Sequence, residues 1–400
     1  MRYEYKSEFD QIRPLNDDEM HEALESLLKD RQLNTVLKGL MPWMPRAVRN
    51  AILRTAFIGV KSTLGFQVRF MKPIVKYALW KCSTGYSFGH ENIERSGKRY
   101  TFMSNHRDIV LDSAILDVLL FEAKFDTTCE IAIGDNLLIY PWIRTIVRMN
   151  KAFTVKRGIS ARDLLTSSQT MSEYMHYAIN TKRENIWIAQ REGRAKDSND
   201  RTQESVLKMV AMGGQGDAIE SLRDMNIVPL TISYEYDPCD YLKAKEFQLK
   251  RDDPSHKKTP QDDLKNMDTG ILGFKGRIHY QAAPCINEWI DEYADLPKTE
   301  VYKRIAKRMD HEIHCGYKLF PGNFVALDEL HGTQDYTDRY TPQEKETFDR
   351  YLEGQLNKID LPNPDWDYLR ERILTMYANP AKNQLKALAG GQEDEKEEQA

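Results

Sequence analysis

The run Phe102-Met103-Ser104-Asn105-His106-Arg107-Asp108-Ile109-Val110-Leu111-Asp112 puts a histidine directly after a short apolar stretch, with carboxylates two and six residues further on. A second apolar stretch at 185–190 ends in Arg191-Glu192-Gly193-Arg194. An imidazole with a nearby carboxylate can act as a base toward a hydroxyl, and a guanidinium can hold an anionic substrate. These two segments predict an enzyme acting on a phosphorylated or otherwise acidic molecule.

Both segments need a scaffold that delivers the ends of strands to one place. Strand-like stretches at 99–104, 129–133, 152–156, 185–190, 227–236 and 272–281 alternate with helix-like ones at 108–123, 136–149, 159–180 and 202–224. The alternation predicts an α/β fold with a largely parallel sheet flanked by helices, and such sheets place ligand sites where strands end and helices begin. Residues 16–30 read as a capped helix, and further helices are expected near 298–315, 342–358 and 366–388. The polar, proline-punctuated segment 250–269 reads as an exposed loop. The expected division is a basic helical layer at 1–82, a catalytic domain at 83–290, a helical extension at 291–389 and a disordered acidic tail at 390–400.

Composition narrows the class. The chain has 400 residues, of which 41% are hydrophobic and 30% charged, which is globular. Five scattered cysteines, Cys82, Cys129, Cys239, Cys285 and Cys315, form no CxxC and read as reduced thiols of a cytosolic protein. The N-terminal residues lack the apolar stretch of a signal peptide, and no run of 18 apolar residues is free of charge, so a spanning helix is not expected. The net charge of −4 hides an asymmetry: from Arg31 to His90 there is no acid, but there are ten bases interleaved with aromatics. That mixture suits an anionic membrane surface. On a helical wheel Arg69, Lys72 and Lys76 share one face, with Phe66, Phe70, Ile74 and Tyr77 largely opposite. Phe66 and Phe70 are thus expected to insert into lipid. A structural helical layer is the plainer alternative, and nucleic acid is disfavoured because the aromatics form no recognisable binding module.

Read in order, four segments resemble the motifs of the glycerolphosphate acyltransferase family. They are Asn105-His106-Arg107 with Asp112; Ala152-Phe153-Thr154-Val155-Lys156-Arg157, an apolar strand ending in bases; Glu192-Gly193-Arg194; and Ile227-Val228-Pro229 leading to Ser233-Tyr234-Glu235. The family usually has four residues between histidine and aspartate. Here there are five, which leaves Asp108 as an alternative partner to Asp112. The resemblance implies that His106 takes a proton from an acceptor hydroxyl as it attacks an acyl thioester, with the aspartate fixing the imidazole tautomer. It also implies a substrate site built from Lys156, Arg157, Glu192, Gly193, Arg194 and Pro229. In that site the arginines grip phosphate, and Glu192 binds the acceptor or holds an arginine.

The resemblance further implies no resident cofactor, with acyl-CoA or acyl carrier protein as co-substrate and glycerol 3-phosphate or its monoacyl ester as acceptor. The expected location is cytoplasmic, peripheral to the inner face of the cell membrane. An amino-acid lipid acceptor, a non-catalytic lipid-surface protein and a phosphate-ester hydrolase are the competing readings. No metal site is expected: His311 and His314 form HxxH without the glutamate of HExxH, and Gly213-Gly214-Gln215-Gly216 reads as a helix stop and turn rather than a nucleotide loop.

Overall fold

The computed structural model describes residues 3–40 and 42–390, so the expected acidic tail lies, apart from Gly390, outside the described residues. Among the described residues seven strands form one sheet: β1 Gly85–Gly89, β2 Thr101–Ser104, β3 Cys129–Gly134, β4 Ala152–Val155, β5 Asn185–Ala189, β6 Ile227–Tyr234 and β7 Arg277–Ala282. Their order is β1-β7-β6-β2-β5-β3-β4. Every pairing is parallel except β6 with β7. The fold is α/β, as the alternation of elements predicts.

The strand period of two splits the sheet between two cores. Phe102, Trp187 and Val228 face the helices Lys72–Cys82 and Leu111–Glu122. Their neighbours Met103, Ile186, Ile188 and Ile227 face Ala161–Tyr177, Glu204–Ala211 and Lys298–Cys315. A third apolar cluster joins Asp240–Asp252 to Pro321–His331, Pro342–Leu356 and Trp366–Leu388. Because both faces of the sheet are covered, its strand ends are what remain for chemistry.

Three expectations need correction. The 250–269 segment is not one exposed loop: Asp240–Asp252 is a helix, and a second helix, Pro260–Leu272, opens at the proline read as punctuation. Proline suits the first helical turn, where its missing N–H would have no partner. Thr259 caps that turn, accepting from the Asp262 N–H at 3.3 Å while its own N–H donates to the Asp262 carboxylate at 2.8 Å. The single helix expected at 202–224 is two, Glu204–Ala211 and Ala218–Asp224. The glycines between them are needed, since a Cβ at Gly213 would lie 2.2 Å from the Glu173 nitrogen. Phe66 does not face lipid: it is fully buried against Phe57 and Phe70. The large apolar groups this region exposes are Trp43, Ile58 and Trp80, at 78%, 72% and 75%, together with Tyr77 and Ile74.

Among the contacts that hold the N-terminal layer to the sheet is one buried polar side chain. Gln67 lies in a π-helical turn, Gln67–Met71, that carries the helix into Pro73. Its amide nitrogen donates to Asp117 Oδ2 at 2.9 Å, to the Asn150 carbonyl at 3.1 Å and to the Cys129 carbonyl at 3.3 Å, and its oxygen accepts from the Thr128 hydroxyl. Burial, opposed by the Cys129 N–H and the charge of Lys151, pushes the Asp117 carboxyl up to about 7. Gln67→Ala should strand several of these groups and destabilise the protein by at least about 2 kcal/mol, because each unsatisfied buried polar group costs about 1–3 kcal/mol. Urea unfolding of the variant against wild type measures this.

Candidate active site

His106 lies just past the C-terminal end of β2, on a loop that the sheet itself holds in shape. Asn105 spans from that loop to β6: its Oδ1 accepts from the Ile232 N–H at 2.7 Å, and its Nδ2 donates to the Ile232 carbonyl at 3.0 Å. An amide is the side chain that can satisfy a donor and an acceptor of one residue at once. His106 Nδ1 then donates to Asp112 Oδ2 at 2.8 Å. The same oxygen accepts the backbone N–H groups of Arg107 at 2.6 Å and Asp108 at 3.0 Å, and Asp112 Oδ1 accepts from the Tyr234 hydroxyl at 2.9 Å. With Nδ1 engaged, Nε2 is the nitrogen left for a substrate proton. The imidazole edge-packs on Trp187, ring centroids 5.5 Å apart, and lines a cavity of about 670 Å³.

Asp108 is placed differently. Its Oδ1 accepts from the N–H groups of Val110 at 2.9 Å and Leu111 at 2.8 Å, capping the Leu111–Glu122 helix. Burial raises its pKa, and the charge of Asp112 adds to the rise. Gly270 of the Pro260–Leu272 helix packs so tightly on it that a Cβ there would lie 2.2 Å from Asp108 Oδ2. The extra residue between His106 and Asp112 is accommodated in this first turn, and the structure brings Asp112, not Asp108, to the imidazole.

The cavity also gathers Lys156, Arg157, Glu192, Gly193 and Arg194. Arg157 is ion-paired with Glu192, whose side chain is 73% exposed, so its charge is compensated at the cavity mouth. Arg194 Nη2 donates to Asn266 Oδ1 at 3.1 Å, and its Nη1 has no hydrogen-bond partner among the described residues. Lys156 is exposed at the rim. Gly193 has φ +69°, a left-handed conformation that turns the chain from β5 back toward the cavity. Pro229 is not brought to the site. It pairs with Met103 inside the sheet and its carbonyl accepts from the Ala283 N–H at 2.9 Å, well short of the end of β6. The other side of the cavity is apolar, with Ile133, Val155, Leu164, Met171, Val206 and Met209.

Asp200 is a residue that the motifs do not point to. It is fully buried, and its Oδ2 accepts from Arg107 Nη2 at 2.6 Å and from the Tyr317 hydroxyl at 2.6 Å. His314 Nε2 donates to the Asp200 carbonyl at 2.9 Å, and burial pushes the His314 pKa down to about 4, so this half of the HxxH is a neutral core histidine. The Asp197-Ser198-Asn199-Asp200 stretch carries only a turn signature, so no local pattern marks Asp200 as the partner of Arg107.

Residues 87–233 match the family model described as Acyltransferase. The segment is an acyltransferase domain. All of the motif residues that reach the cavity fall within it. A search of curated proteins gives no match. The crystal structure of the 1-acyl-sn-glycerophosphate (LPA) acyltransferase PlsC from Thermotoga maritima aligns with 65% of this chain and 86% of that one at 12% identity, with a TM-score of 0.35, too low to bear on the assignment.

The buried Arg107–Asp200 pair gives a test of how the acyltransferase domain holds its loop. Removing one partner of a buried ion pair costs about 3–5 kcal/mol, because the other is left charged and unpaired. Asp200→Ala should therefore lose about that much unfolding free energy, and Tyr317→Phe about 1 kcal/mol. Chemical denaturation of the two variants checks both values.

Proposed function

We propose that the protein moves a fatty acyl group from an acyl thioester to a hydroxyl of a glycerol-phosphate-type acceptor, glycerol 3-phosphate or its monoacyl ester, in phospholipid synthesis. The observation that carries this reading is His106, oriented through Nδ1 by the buried Asp112, at a cavity with a cationic mouth and an apolar side. In this mechanism His106 Nε2 takes the acceptor's hydroxyl proton as oxygen attacks the thioester carbon. The same proton then passes to the departing sulfur as the carbon–sulfur bond breaks. No protein nucleophile is needed. The apolar side would take the acyl chain, and Arg194, which lines the cavity, would meet the phosphate. The division into a basic layer at 1–82, a catalytic domain at 83–290 and a helical extension at 291–389 is part of this proposal.

His106→Ala should lower turnover by at least about 10²-fold with the fold intact, and Asp112→Asn should come close to it, whereas Asp108→Asn should act mainly on stability. Turnover and thermal melting of the three variants separate these effects. A folded His106→Ala protein with near-normal transfer would remove the mechanism.

The Arg157–Glu192 pair favours a second reading, an acceptor without phosphate, because it leaves less free positive charge at the mouth. Kinetics with a phosphorylated acceptor and its dephosphorylated analogue decide between the two. If phosphate is gripped, wild type should favour the phosphorylated acceptor by roughly ten- to a hundredfold, from a charge-assisted contact of about 1.5–3 kcal/mol. Arg194→Ala and Arg157→Ala should each lose most of that preference, and lysine at either position should restore only part of it. Wild type showing no preference supports the acceptor without phosphate.

No described helix is long and apolar enough to cross a membrane. The exposed Trp43, Ile58, Tyr77 and Trp80, among ten bases and no acids over 31–90, support peripheral attachment to the anionic inner face of the cell membrane. Vesicle binding should rise with anionic lipid and fall with salt. Replacing Trp43, Ile58 and Trp80 by serine should weaken the part that survives high salt. Equal binding to neutral and anionic vesicles at low salt would sink the electrostatic component.

A further inference from the structure

The loop that carries His106 is anchored on both sides to the last residues of β6. Asn105, just before the histidine, clasps the backbone of Ile232, and Asp112, beyond it, accepts from the Tyr234 hydroxyl at 2.9 Å. Ile232 and Tyr234 are two apart on one strand, so their side chains share a face. The antiparallel pairing with β7 sets Ile232 opposite Tyr280 and Tyr234 opposite Ile278. Two tyrosines are thereby placed diagonally on that face, close enough for both to reach one residue of the covering helix. Tyr280 reaches it through the main chain, its hydroxyl donating to the Asp112 carbonyl at 2.9 Å.

Both rings are buried in the apolar cluster with Phe102, Leu116 and Val228, where phenylalanine would fill nearly the same space without a hydroxyl to satisfy. Burial, and after it the charge of Asp112, pushes both phenols well above their usual range, so each keeps its proton and donates it. The two bonds differ in what they hold. The carbonyl that Tyr280 meets lies in the first turn of the Leu111–Glu122 helix and has a helical N–H as a second donor. Asp112 Oδ2 accepts from three groups, His106 Nδ1 and the N–H groups of Arg107 and Asp108. Asp112 Oδ1 has, among the described residues, Tyr234 alone. Without that hydroxyl a fully buried oxygen has no donor. The terminal torsion of an aspartate is soft, so the carboxylate would then turn to share the donors on Oδ2 and carry that oxygen off the line of the imidazole.

We propose that Tyr234 is a positioning residue for acyl transfer: by holding Asp112 Oδ1 it fixes the plane of the carboxylate that aims the His106 ring. The role in turnover rests on the acyl-transfer reading above, and the coupling of Tyr234 to the ring does not. Tyr280 holds the backbone of the same aspartate and leaves the carboxylate plane to Tyr234, which makes it the natural control.

The test compares Tyr234→Phe with Tyr280→Phe in the full-length protein. Each removes one buried hydroxyl, so both should melt below wild type. Tyr234→Phe should lower kcat at least about tenfold with KM unchanged, and Tyr280→Phe should stay within about threefold of wild type. Nitrogen NMR of the histidine rings supplies a reading that needs no substrate. His106 should show one tautomer, protonated at Nδ1, in wild type and in Tyr280→Phe, and a mixture in Tyr234→Phe. If Tyr234→Phe does not fold, 3-fluorotyrosine in place of Tyr234 decides the matter, because it keeps the hydroxyl and makes it a stronger donor. It should move the His106 Nδ1 proton resonance, and the same replacement of Tyr280 should leave that resonance in place. An equal loss of kcat in the two phenylalanine variants, a single ring tautomer retained in Tyr234→Phe, or an unmoved resonance with the fluorinated ring at 234 overturns the assignment. The underlying reading fails separately, if wild type forms no ester from any thioester donor.

Discussion

The buried carboxylate of Asp112 is the point on which the site depends. It accepts four hydrogen bonds, from the His106 ring, the Arg107 and Asp108 N–H groups and the Tyr234 hydroxyl. A carboxylate fully withdrawn from water is tolerable only with such partners, and the partners here come from two parts of the fold, the loop after β2 and the end of β6. The two backbone donors bend the chain after β2 into the start of a helix, and Tyr234 marks the C-terminal end of β6. The imidazole is therefore held in one tautomer and one orientation by groups that also close the turn. Loss of the carboxylate would disturb the loop and the ring together.

A second layer of contacts carries this constraint outward. Arg107, adjacent to the histidine, is buried against Asp200 and Tyr317, and Asp200 is held in turn by His314 near the end of the Lys298–Cys315 helix. The C-terminal helices are thereby part of the scaffold of the loop. Their HxxH, chemically suggestive in the sequence, is spent on packing. On the other side Gly270 closes on Asp108, so the Pro260–Leu272 helix both covers the first turn of the Leu111–Glu122 helix and delivers one wall of the cavity.

Much of this was legible in the residues because it is local. The apolar runs that become β2 to β6 lie within a few residues of where the alternation of strand-like and helix-like stretches places them, and the histidine and aspartate sit close together in the chain. What was not legible depends on long-range partners. Asp200 meets Arg107 across 93 positions, and nothing near it in the chain announces that contact. Pro229 matches a motif in sequence, yet strand register keeps it inside the sheet, since only the last residues of a parallel strand reach the crevice. The prolines of 250–269 read as breaks because proline both ends and begins helices, and the capping that decides between these is visible only in the structure. Phe66 was misjudged for a related reason. A helical wheel ranks faces, but it does not say which face the rest of the chain will cover.

That last point bears on how the basic layer works. Its charge pattern alone fits either a lipid-binding surface or an ordinary covering layer, and the structure gives it a packed inner side and an exposed outer one. Phe57, Phe66 and Phe70 form an inward aromatic cluster, and Gln67 adds a polar lock at the starts of β3 and β4. Trp43, Ile58 and Trp80 remain outside with nothing packed over most of their surface. Several bases already have partners: Lys76 pairs with Glu122 at 2.7 Å, Arg54 with Glu25 at 2.6 Å, and Lys72 sits over the Phe121 ring at 3.6 Å. Such exposed pairs contribute little individually and weaken in salt, so the basic side chains can exchange them for other anions. A layer fixed to the sheet by buried bonds and facing outward with exchangeable ones can meet a surface without being reshaped by it. For the membrane attachment proposed above, Gln67 and its partners would fix how the exposed side of the layer sits relative to the cavity.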